Sequence, residues 1–324
     1  MHSMLLNSAT IRFEMVPSTP FLIKNGDKGA NLLHPERPDM CALRTRNASG
    51  EETVFVPGAS IKGVVRSSAE RILRSLVHAK PQFGACDPTD PQGPCQRTAS
   101  SRGNDLRRES KGGDPLLMGP VHAMLCPACR MFGSQAIASR VRFADALPTD
   151  ATWRMANLTE ERQGVAIDRR TGGPSRGKLY GSEIVVGGRY AAVITLENFE
   201  MWQLALIGQV LLDVTEGLTR FGSAKSRGLG VFGLEAMGLE LRQQRGHTAP
   251  AGIAALAAFL QSPYDLAGDG PSDVLDGLPC PGQHQRRLLM ESWQWQGDDV
   301  WTVFDHAANS PWAAFVGYLD RKGA

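Results

Sequence analysis

The stretch TIRFEMV, residues 10–16, has apolar side chains at Ile11, Phe13 and Met15 and mostly polar side chains between them. This alternation with a period of two predicts a β-strand with one buried face. A polar stretch rich in Pro, Gly, Asn and Asp follows at residues 17–50 and predicts a long loop. A loop of that length in a folded domain is usually functional.

After this loop, residues 61–77 carry apolar side chains at helical spacing. Pro57 and Gly58 precede the helix, and Ser60 is predicted as its N-cap. The two patterns recur along the chain. The further predicted segments are strands at 138–146, 184–196 and 229–240 and a helix at 201–218.

The resulting order of strand, helix, strand, strand, helix, strand predicts an α+β fold with a ferredoxin-like (RRM-like) core. We assign the core to residues 1–245 and the remaining 246–324 to a C-terminal extension of unknown role, in which an Ala-rich helix is predicted at 251–260. Three large insertions are expected in the core, at 17–55, 79–136 and 150–182.

The composition of the 324 residues excludes several classes of protein. Hydrophobic residues make up 42% and the formal net charge is +2, which argues against a disordered chain. No uncharged stretch is suited to span a membrane and no signal peptide is recognised, so we expect a cytoplasmic protein with no membrane partner. Basic residues nevertheless cluster within 96–113 and 162–178, and local clusters of this kind can bind phosphate.

Four cysteines form two close pairs. Cys126 and Cys129 belong to a CPAC sequence, while Cys86 and Cys95 bracket the segment CDPTDPQGPC. Two such thiol pairs joined by a long loop are typical of a structural Zn²⁺ site, and the metal would supply folding energy to an insertion that lacks an apolar pattern.

Other interpretations of the cysteines stay open. The thiols can be buried and free, and His122 or His78 can replace one of the upstream cysteines as a ligand. A disulfide is disfavoured in the cytoplasm. Cys41 and Cys280 are left over and are expected to be structural.

Two segments have the chemistry of phosphate-binding sites. In the first, a turn leads into the predicted helix at 61–77, whose free N-terminal amides and side chains Lys62 and Arg66 can hold an anion. In the second, FGSAKSRGLG at 221–230, glycines permit close backbone approach and basic side chains supply charge. Taken singly, the first is more often an ordinary capped helix with solvated charges, and the alternative for the second is an ordinary glycine hairpin.

Further cations lie on the predicted strand at 138–146, which has Arg140 on its polar face, and in GVAIDRRTG at 164–172. A protruding basic hairpin can contact phosphates or insert between bases; otherwise it is a solvated loop. No common catalytic motif is present. In the 17–50 loop Asp39 can recruit Mg²⁺, whereas Asp27 and Glu36 are better explained as surface residues.

Four segments in this order resemble the repeat-associated mysterious protein (RAMP) superfamily. They are VPGASIKGVVRSSAERIL, CPACRMFGSQAIASRVRFADA, GVAIDRRTG and FGSAKSRGLGVF. Over residues 8–240 the chain is most similar to the backbone subunit of type III-like CRISPR effector complexes. The resemblance implies a ferredoxin-like core with a zinc-bearing insertion and a thumb hairpin, here within 150–182.

The resemblance also implies roles for individual residues. Cys86, Cys95, Cys126 and Cys129 would hold structural Zn²⁺. Asp39 occupies a place similar to that of the aspartate that cleaves target RNA, although its neighbours lack the family's glycine-rich context. The implied RNA contacts are Ser60, Lys62, Arg66, Arg140, Arg169, Arg170, Gly222, Lys225, Ser226 and Arg227.

The partners implied by the resemblance are crRNA, a complementary target RNA or DNA, further copies of the chain in a filament and other CRISPR effector subunits, in antiviral defence. One hypothesis is a backbone subunit that also cleaves target RNA as a metal-dependent endoribonuclease. A second is a non-cleaving scaffold, as in type IV-like complexes, that recruits a partner nuclease or helicase. A third is a stand-alone zinc-containing processing ribonuclease, which would need a His or Tyr base near the 221–230 loop.

Overall fold

A large antiparallel sheet organises the chain. A computed structural model describes residues 4–24, 38–46, 49–77, 83–87, 90, 95, 118–246, 248–256, 264–268, 270–280 and 282–323. The strands of the sheet are β1 (Asn7–Pro17), β4 (Val141–Phe143), β5 (Leu147–Pro148), β8 (Tyr190–Glu197), β9 (Phe232–Gln244), β10 (Gln283–Arg287) and β11 (Met290–Gln296). Their order in the sheet is β10–β11–β9–β1–β8–β4, and β5 also pairs with β8.

The predicted strand and helix order is confirmed by this sheet. Four consecutive strands of the sheet, β9, β1, β8 and β4, are the fourth, first, third and second core strands of the chain, and all of their pairings are antiparallel. The fold is therefore mixed α+β, and this strand order fits a ferredoxin-like core. The predicted apolar face of β1 is buried, because Ile11 lies opposite Ile194 in β8 and Leu239 in β9.

Two long helices pack on the buried face of the sheet. They are α1 (Gly58–Leu76) and α5 (Met201–Thr215), and they also contact each other. The first helix begins two residues earlier than the predicted N-cap at Ser60: Pro57 occupies the N-cap position, and the Gly58 N–H donates to Asp145 Oδ1 at 2.7 Å. The cap therefore comes from a distant loop instead of the local serine.

Several predicted boundaries need correction. The strand expected at 138–146 is two short pieces, β4 and β5. The strand expected at 184–196 is the end of one strand, at 184–185, and all but the last residue of β8, separated by residues 186–189. The helix expected at 251–260 is seen as α6 (Ile253–Leu256), and residues 257–260 lie outside the described residues.

Two small sheets lie beside the large one. The first pairs β2 (Arg44–Arg46) with β3 (Glu52–Val54), and the second is a hairpin of β6 (Thr159–Ile167) and β7 (Pro174–Val185). Short helices complete the core: α2 (Met118–Met124), α3 (Pro127–Phe132) and α4 (Trp153–Ala156). All six residues of α3 are buried, and its apolar side chains and the four paired cysteines belong to the main hydrophobic cluster.

The C-terminal residues extend the same architecture. Strands β11 and β10 continue the sheet beyond β9, and α7 (Asp298–Ala307) and α8 (Ser310–Gly323) pack against α5. Within the described residues, no helix is both long and apolar enough to cross a membrane.

Candidate nucleic-acid interface and metal centre

The hairpin of β6 and β7 carries two of the predicted RNA contacts at its tip. Asp168 Oδ1 accepts hydrogen bonds from the backbone N–H groups of Arg170, at 2.8 Å, and Thr171, at 3.2 Å. This turn is closed further by Gly172, whose φ is +69°. The side chains of Arg169 and Arg170 are exposed, so the tip presents two cations to solvent.

The predicted glycine loop is held against the segment that follows β1. Gly222 has a φ of +80°, and a Cβ atom there would lie 2.4 Å from the Leu22 carbonyl oxygen. The Ser223 N–H donates to the same oxygen at 2.7 Å. Only glycine fits this approach, and the chain beyond it forms a turn in which Lys225, Ser226 and Arg227 are all exposed.

Tyr180 joins the hairpin to the glycine loop. The Arg227 guanidinium donates to the Tyr180 hydroxyl and lies 5.9 Å from the centroid of its ring, a cation–π contact. Tyr180 pairs across the hairpin with Gly164, where a Cβ atom would lie 2.3 Å from the ring. Sequence reasoning missed Tyr180; the available signal was a glycine opposite an aromatic residue in a hairpin.

Asp39 lies at the base of the hairpin, next to this contact. Its side chain is exposed, and Oδ2 accepts a hydrogen bond from the Gly181 N–H at 2.9 Å. The structure therefore brings three predicted features together around Tyr180 and Gly181: the candidate catalytic residue, the basic hairpin and the glycine loop. In the described part of the chain, Asp39 belongs to no group of three or more metal-ligating side chains. Asp27 and Glu36 lie outside the described residues.

A second carboxylate fixes the Asp39 segment to the hairpin. Glu183 Oε2 accepts from the Ala42 N–H at 3.0 Å and from Arg44 Nη1 at 2.9 Å, and Oε1 accepts from Arg44 Nη2. Burial raises the pKa of Glu183, but the Arg44 and Ala42 hydrogen bonds outweigh it and hold that pKa below its ordinary value. Sequence reasoning also missed this ion pair.

The N-terminal end of α1 differs from the expected anion seat. The Gly58 N–H is occupied by the Asp145 carboxylate, which is itself negative. Lys62 remains partly exposed, and partial burial together with the nearby Arg66 lowers its pKa. Ser60 is the third residue of the helix, and it is also partly exposed.

Arg66 faces the cysteines. Its Nε donates to Glu70 Oε1 at 2.7 Å, its Nη1 to the Gly133 carbonyl at 3.3 Å and its Nη2 to Cys129 Sγ at 3.9 Å. An arginine so engaged is a structural link between α1 and the cysteine cluster.

Arg140 corrects the prediction of a cationic strand face. Its side chain is buried, with 2% of the residue exposed, and Nη1 donates to the Asn198 carbonyl at 3.1 Å. Burial lowers the pKa of Arg140 to about 10. Arg140 precedes β4 and is buried, so it does not form the exposed cationic face that the alternation predicts. The neighbouring Arg142 is exposed and pairs with Glu197 at 2.5 Å.

The four paired cysteines converge as predicted. The Sγ atoms of Cys86, Cys95, Cys126 and Cys129 all lie within 4.8 Å of one another, and all four residues are buried. The Cys86 and Cys129 sulfurs are 3.5 Å apart, close to the roughly 3.8 Å that a tetrahedron with about 2.3 Å Zn–S bonds requires. A donor set of four sulfurs in this arrangement can bind a metal such as zinc.

Backbone N–H groups and neighbouring thiols form hydrogen bonds with the cysteine sulfurs. The Cys126 N–H donates to Cys95 Sγ at 3.2 Å, and the Cys86 N–H donates to Cys126 Sγ at 3.4 Å. Hydrogen bonds from the Cys129, Cys86 and Cys95 side chains lower the pKa of the Cys126 thiol well below its ordinary value. Hydrogen bonds within the same cluster raise the pKa of the Cys86 and Cys129 thiols, so Cys126 is the one favoured as a thiolate, the form that ligates metal.

The alternative ligand His122 is not part of the cluster. His122 is buried, lies outside the four-sulfur group and packs edge-on against Tyr264 at 5.5 Å. Its burial, followed by the nearby Arg140 and Arg130 charges, lowers its pKa well below the ordinary value. His78 lies outside the described residues, and Cys41 and Cys280 are not in the group either.

The comparisons with known proteins agree with this geometry. A family model described as the RAMP superfamily matches residues 19–233, which is more than half of the chain. The matched range includes α1, the four cysteines, the hairpin and the glycine loop. No curated protein matches the chain.

Proposed function

Because the chain belongs to the RAMP superfamily, which supports a CRISPR-associated RNA-binding role in general, we propose that it is a crRNA-binding backbone subunit of a CRISPR effector. The observation that carries the proposal is the contact between the hairpin and the glycine loop at Tyr180. It joins the two elements that carry the exposed cations.

The cations of these two elements are suited to hold a ribose-phosphate backbone. Arg169, Arg170 and Lys225 are exposed, and none of them forms an ion pair with another described residue. A guide strand must be held through its phosphates, 2′-hydroxyls and shape so that its base edges stay free to pair with a target. In this role further copies of the chain would follow the guide as a filament, with other effector subunits at its ends.

Lys62 gives the simplest test of guide binding at α1. We expect Lys62→Ala to weaken binding to unrelated RNA sequences equally and to reduce the salt dependence of affinity, because a phosphate contact carries no sequence information. The matched Arg66→Lys variant keeps the positive charge but removes the guanidinium that contacts Cys129. Unchanged RNA affinity in this variant would show that the Cys129 contact is not needed for RNA binding. A loss confined to certain sequences would instead indicate base readout.

We further propose that Asp39 takes part in cleavage of the target. Its carboxylate is exposed beside the hairpin and forms no ion pair with another described residue, while Gly181 fixes one oxygen. Asp39 would be the ligand for Mg²⁺, which activates an attacking oxygen or stabilises a leaving oxygen in such reactions. The hairpin would set the position of the scissile phosphate.

Asp39→Asn is the variant that tests cleavage. It keeps an oxygen for the Gly181 N–H and removes the negative charge, whereas Asp39→Ala removes both. With an assembled guide complex, labelled complementary RNA and Mg²⁺, we expect regularly spaced cuts from the wild type and none from Asp39→Asn, with guide binding unchanged. Equal cutting by Asp39→Asn would remove this residue from the reaction, and an intact target with the wild type would favour the non-cleaving scaffold.

One observation favours the processing ribonuclease as a second candidate. That function needs a His or Tyr near the glycine loop, and the structure brings the Tyr180 hydroxyl to Arg227. Tyr180→Phe keeps the ring over Gly164 and removes only the hydroxyl. Loss of precursor-RNA cutting without added target would support the second candidate, and unchanged guide binding with no processing activity in the wild type would reject it.

We also propose that the metal in the four-cysteine cluster is Zn²⁺. A closed set of four thiolates is typical of structural zinc, which leaves no open position for substrate. Its role would be to join the segments that carry Cys86 and Cys95 to α3 and, through Arg66, to α1.

A further inference from the structure

The turn between β10 and β11 exposes two adjacent leucines. Leu288 is 88% exposed and Leu289 is 82% exposed, the highest values among the large apolar residues of the described chain. Arg286 and Arg287 precede them and are exposed as well. Arg286 pairs with Glu291 at 3.4 Å, while Arg287 forms no ion pair with a described residue. The tip of this hairpin is therefore both apolar and basic.

The backbone of this tip is strained. Arg287 pairs with Met290, so Leu288 and Leu289 form a two-residue turn. The φ of Leu288 is +51°, a conformation that favours Gly or Asn. A strained residue that also exposes a large apolar side chain is unfavourable in an isolated chain, and such positions are frequent at contact sites.

An apolar groove on the helical layer could receive the exposed leucines of the tip. It lies between α5 and α7, with a volume of about 620 Å³, and Leu212, Trp301 and Phe304 line it. Gly208 shapes its floor, because a Cβ atom there would lie 2.6 Å from Phe304. The volume is within the range of about 300–1,000 Å³ that is usual for binding pockets.

The groove is also acidic. Asp213 and Asp305 line it, and neither forms an ion pair with another described residue. The Asp213 carboxylate accepts from Gln209 Nε2 at 2.8 Å, and Asp305 is exposed. The basic flank of the tip and the acidic lining of the groove are therefore opposite in charge, while both are otherwise apolar.

We propose that the tip formed by residues 286–289 of one copy docks in the groove of a second copy of this chain. The leucines would pack on Trp301 and Phe304, and Arg287 would approach Asp305. The tip does not fill its own groove, since both leucines are almost fully exposed. An interface that joins two different patches is heterologous, so each dimer keeps one free tip and one free groove and can add further copies. The contact needs no RNA.

The first experiment measures self-association of the full chain without RNA. We expect sedimentation velocity over a concentration series to show an open set of oligomers. Leu288→Asn with Leu289→Ser should raise the dissociation constant about tenfold or more, while thermal melting stays unchanged because Asn tolerates the positive φ. The exposed Leu158→Asn is the matched control and should assemble like the wild type. A monomeric wild type, or tip variants that assemble normally, would overturn the proposal.

A mixing experiment tests the two-patch geometry. The Leu288→Asn/Leu289→Ser chain keeps an intact groove, and an Asp305→Arg chain keeps an intact tip. At a concentration at which the wild type assembles, each alone should stay largely monomeric, whereas an equal mixture should form dimers and nothing larger. Combining Arg287→Asp with Asp305→Arg in one chain should restore assembly. Failure of both rescues would overturn the proposal.

RNA affinity separates this proposal from the proposed function. The monomeric tip variant should bind a short RNA that accommodates one copy as tightly as the wild type does. Loss of assembly with intact RNA binding supports the docking site. Intact assembly without any RNA binding would instead contradict the guide-binding role alone.

Discussion

The cysteine cluster and the hairpin with its glycine loop use arginine in opposite ways. Near the cysteines, Arg66 is bonded to Glu70, and the buried Arg130 donates to Asp265 at 3.0 Å. Along the hairpin and the loop, Arg169 and Arg170 are exposed and pair with no acidic group among the described residues. Buried and partnered guanidinium groups hold elements together, whereas exposed and unpaired ones remain available to phosphate.

The largest effect should follow from breaking the cysteine cluster. We expect Cys126→Ser with Cys129→Ser to remove about one bound metal per chain and to lower the midpoint of thermal unfolding by about 10 °C or more, because a structural metal contributes folding energy. Elemental analysis and thermal melting check this. Cys41→Ser with Cys280→Ser, outside the cluster, is the control and should change neither; metal-free wild type would contradict the zinc site.

A matched pair of arginine variants separates the two regions. Arg130→Met should lower the free energy of unfolding by about 3 kcal/mol, because it removes the buried guanidinium that donates hydrogen bonds to the Asp265 carboxylate and to the Leu125 carbonyl. Arg170→Met at the hairpin tip should change stability by less than about 0.5 kcal/mol. Urea unfolding measures both. Equal costs would show that burial does not distinguish these arginines.

For RNA binding, unlike stability, the exposed arginines of the hairpin tip should matter most. Arg169→Ala with Arg170→Ala should reduce the slope of log affinity against log salt by about 0.7 for each single-strand phosphate that the variant no longer neutralises. Arg142→Ala is the control, since Arg142 is an exposed arginine on the large sheet that pairs with Glu197. A salt titration of fluorescence anisotropy gives the slopes. Equal slopes for the double variant and the control would place the RNA elsewhere.

The smallest effect concerns the anchor between Glu183 and Arg44. Because its pKa is lowered in the folded chain, the Glu183 carboxylate stabilises the fold above its ordinary pKa of 4.5, and this contribution is lost as pH falls through the lower folded value. Glu183→Gln should therefore be less stable than the wild type at pH 7, and the difference should shrink on acidification below 4.5. Urea unfolding at several pH values checks this, and a gap that widens in acid would contradict the assignment.

The order of the core elements was predictable because burial imposes a period on each of them. The alternation in residues 10–16 and the helical spacing in 61–77 both reflect faces that are buried in the structure. Convergence of the four cysteines was predictable from thiol chemistry and spacing. Family membership followed from several motifs in one order, and the family comparison confirms it.

The predictions were wrong or incomplete where contacts between distant parts of the chain determine the position of a side chain. The alternation of Arg140 with apolar residues is typical of an exposed cation, but its side chain is buried and donates a hydrogen bond to the Asn198 carbonyl. Ser60 has the chemistry of an N-cap, but Asp145 from a distant loop binds the first helical amide. Tyr180 was missed because its importance depends on the register of a hairpin and on a contact with Arg227, 47 residues away. The sheet extension by β10 and β11 also had no distinctive sequence pattern.

The central claim is that the surface around Tyr180 binds the ribose-phosphate backbone of RNA and does not read its bases. The most direct test compares the affinity of the full chain for two unrelated single-stranded RNAs of equal length, for the wild type and for Arg169→Ala/Arg170→Ala/Lys225→Ala. We predict equal affinities for the two RNAs and an equal, salt-dependent loss with the variant. Affinity that depends on sequence, or that the triple variant leaves unchanged, would contradict the claim.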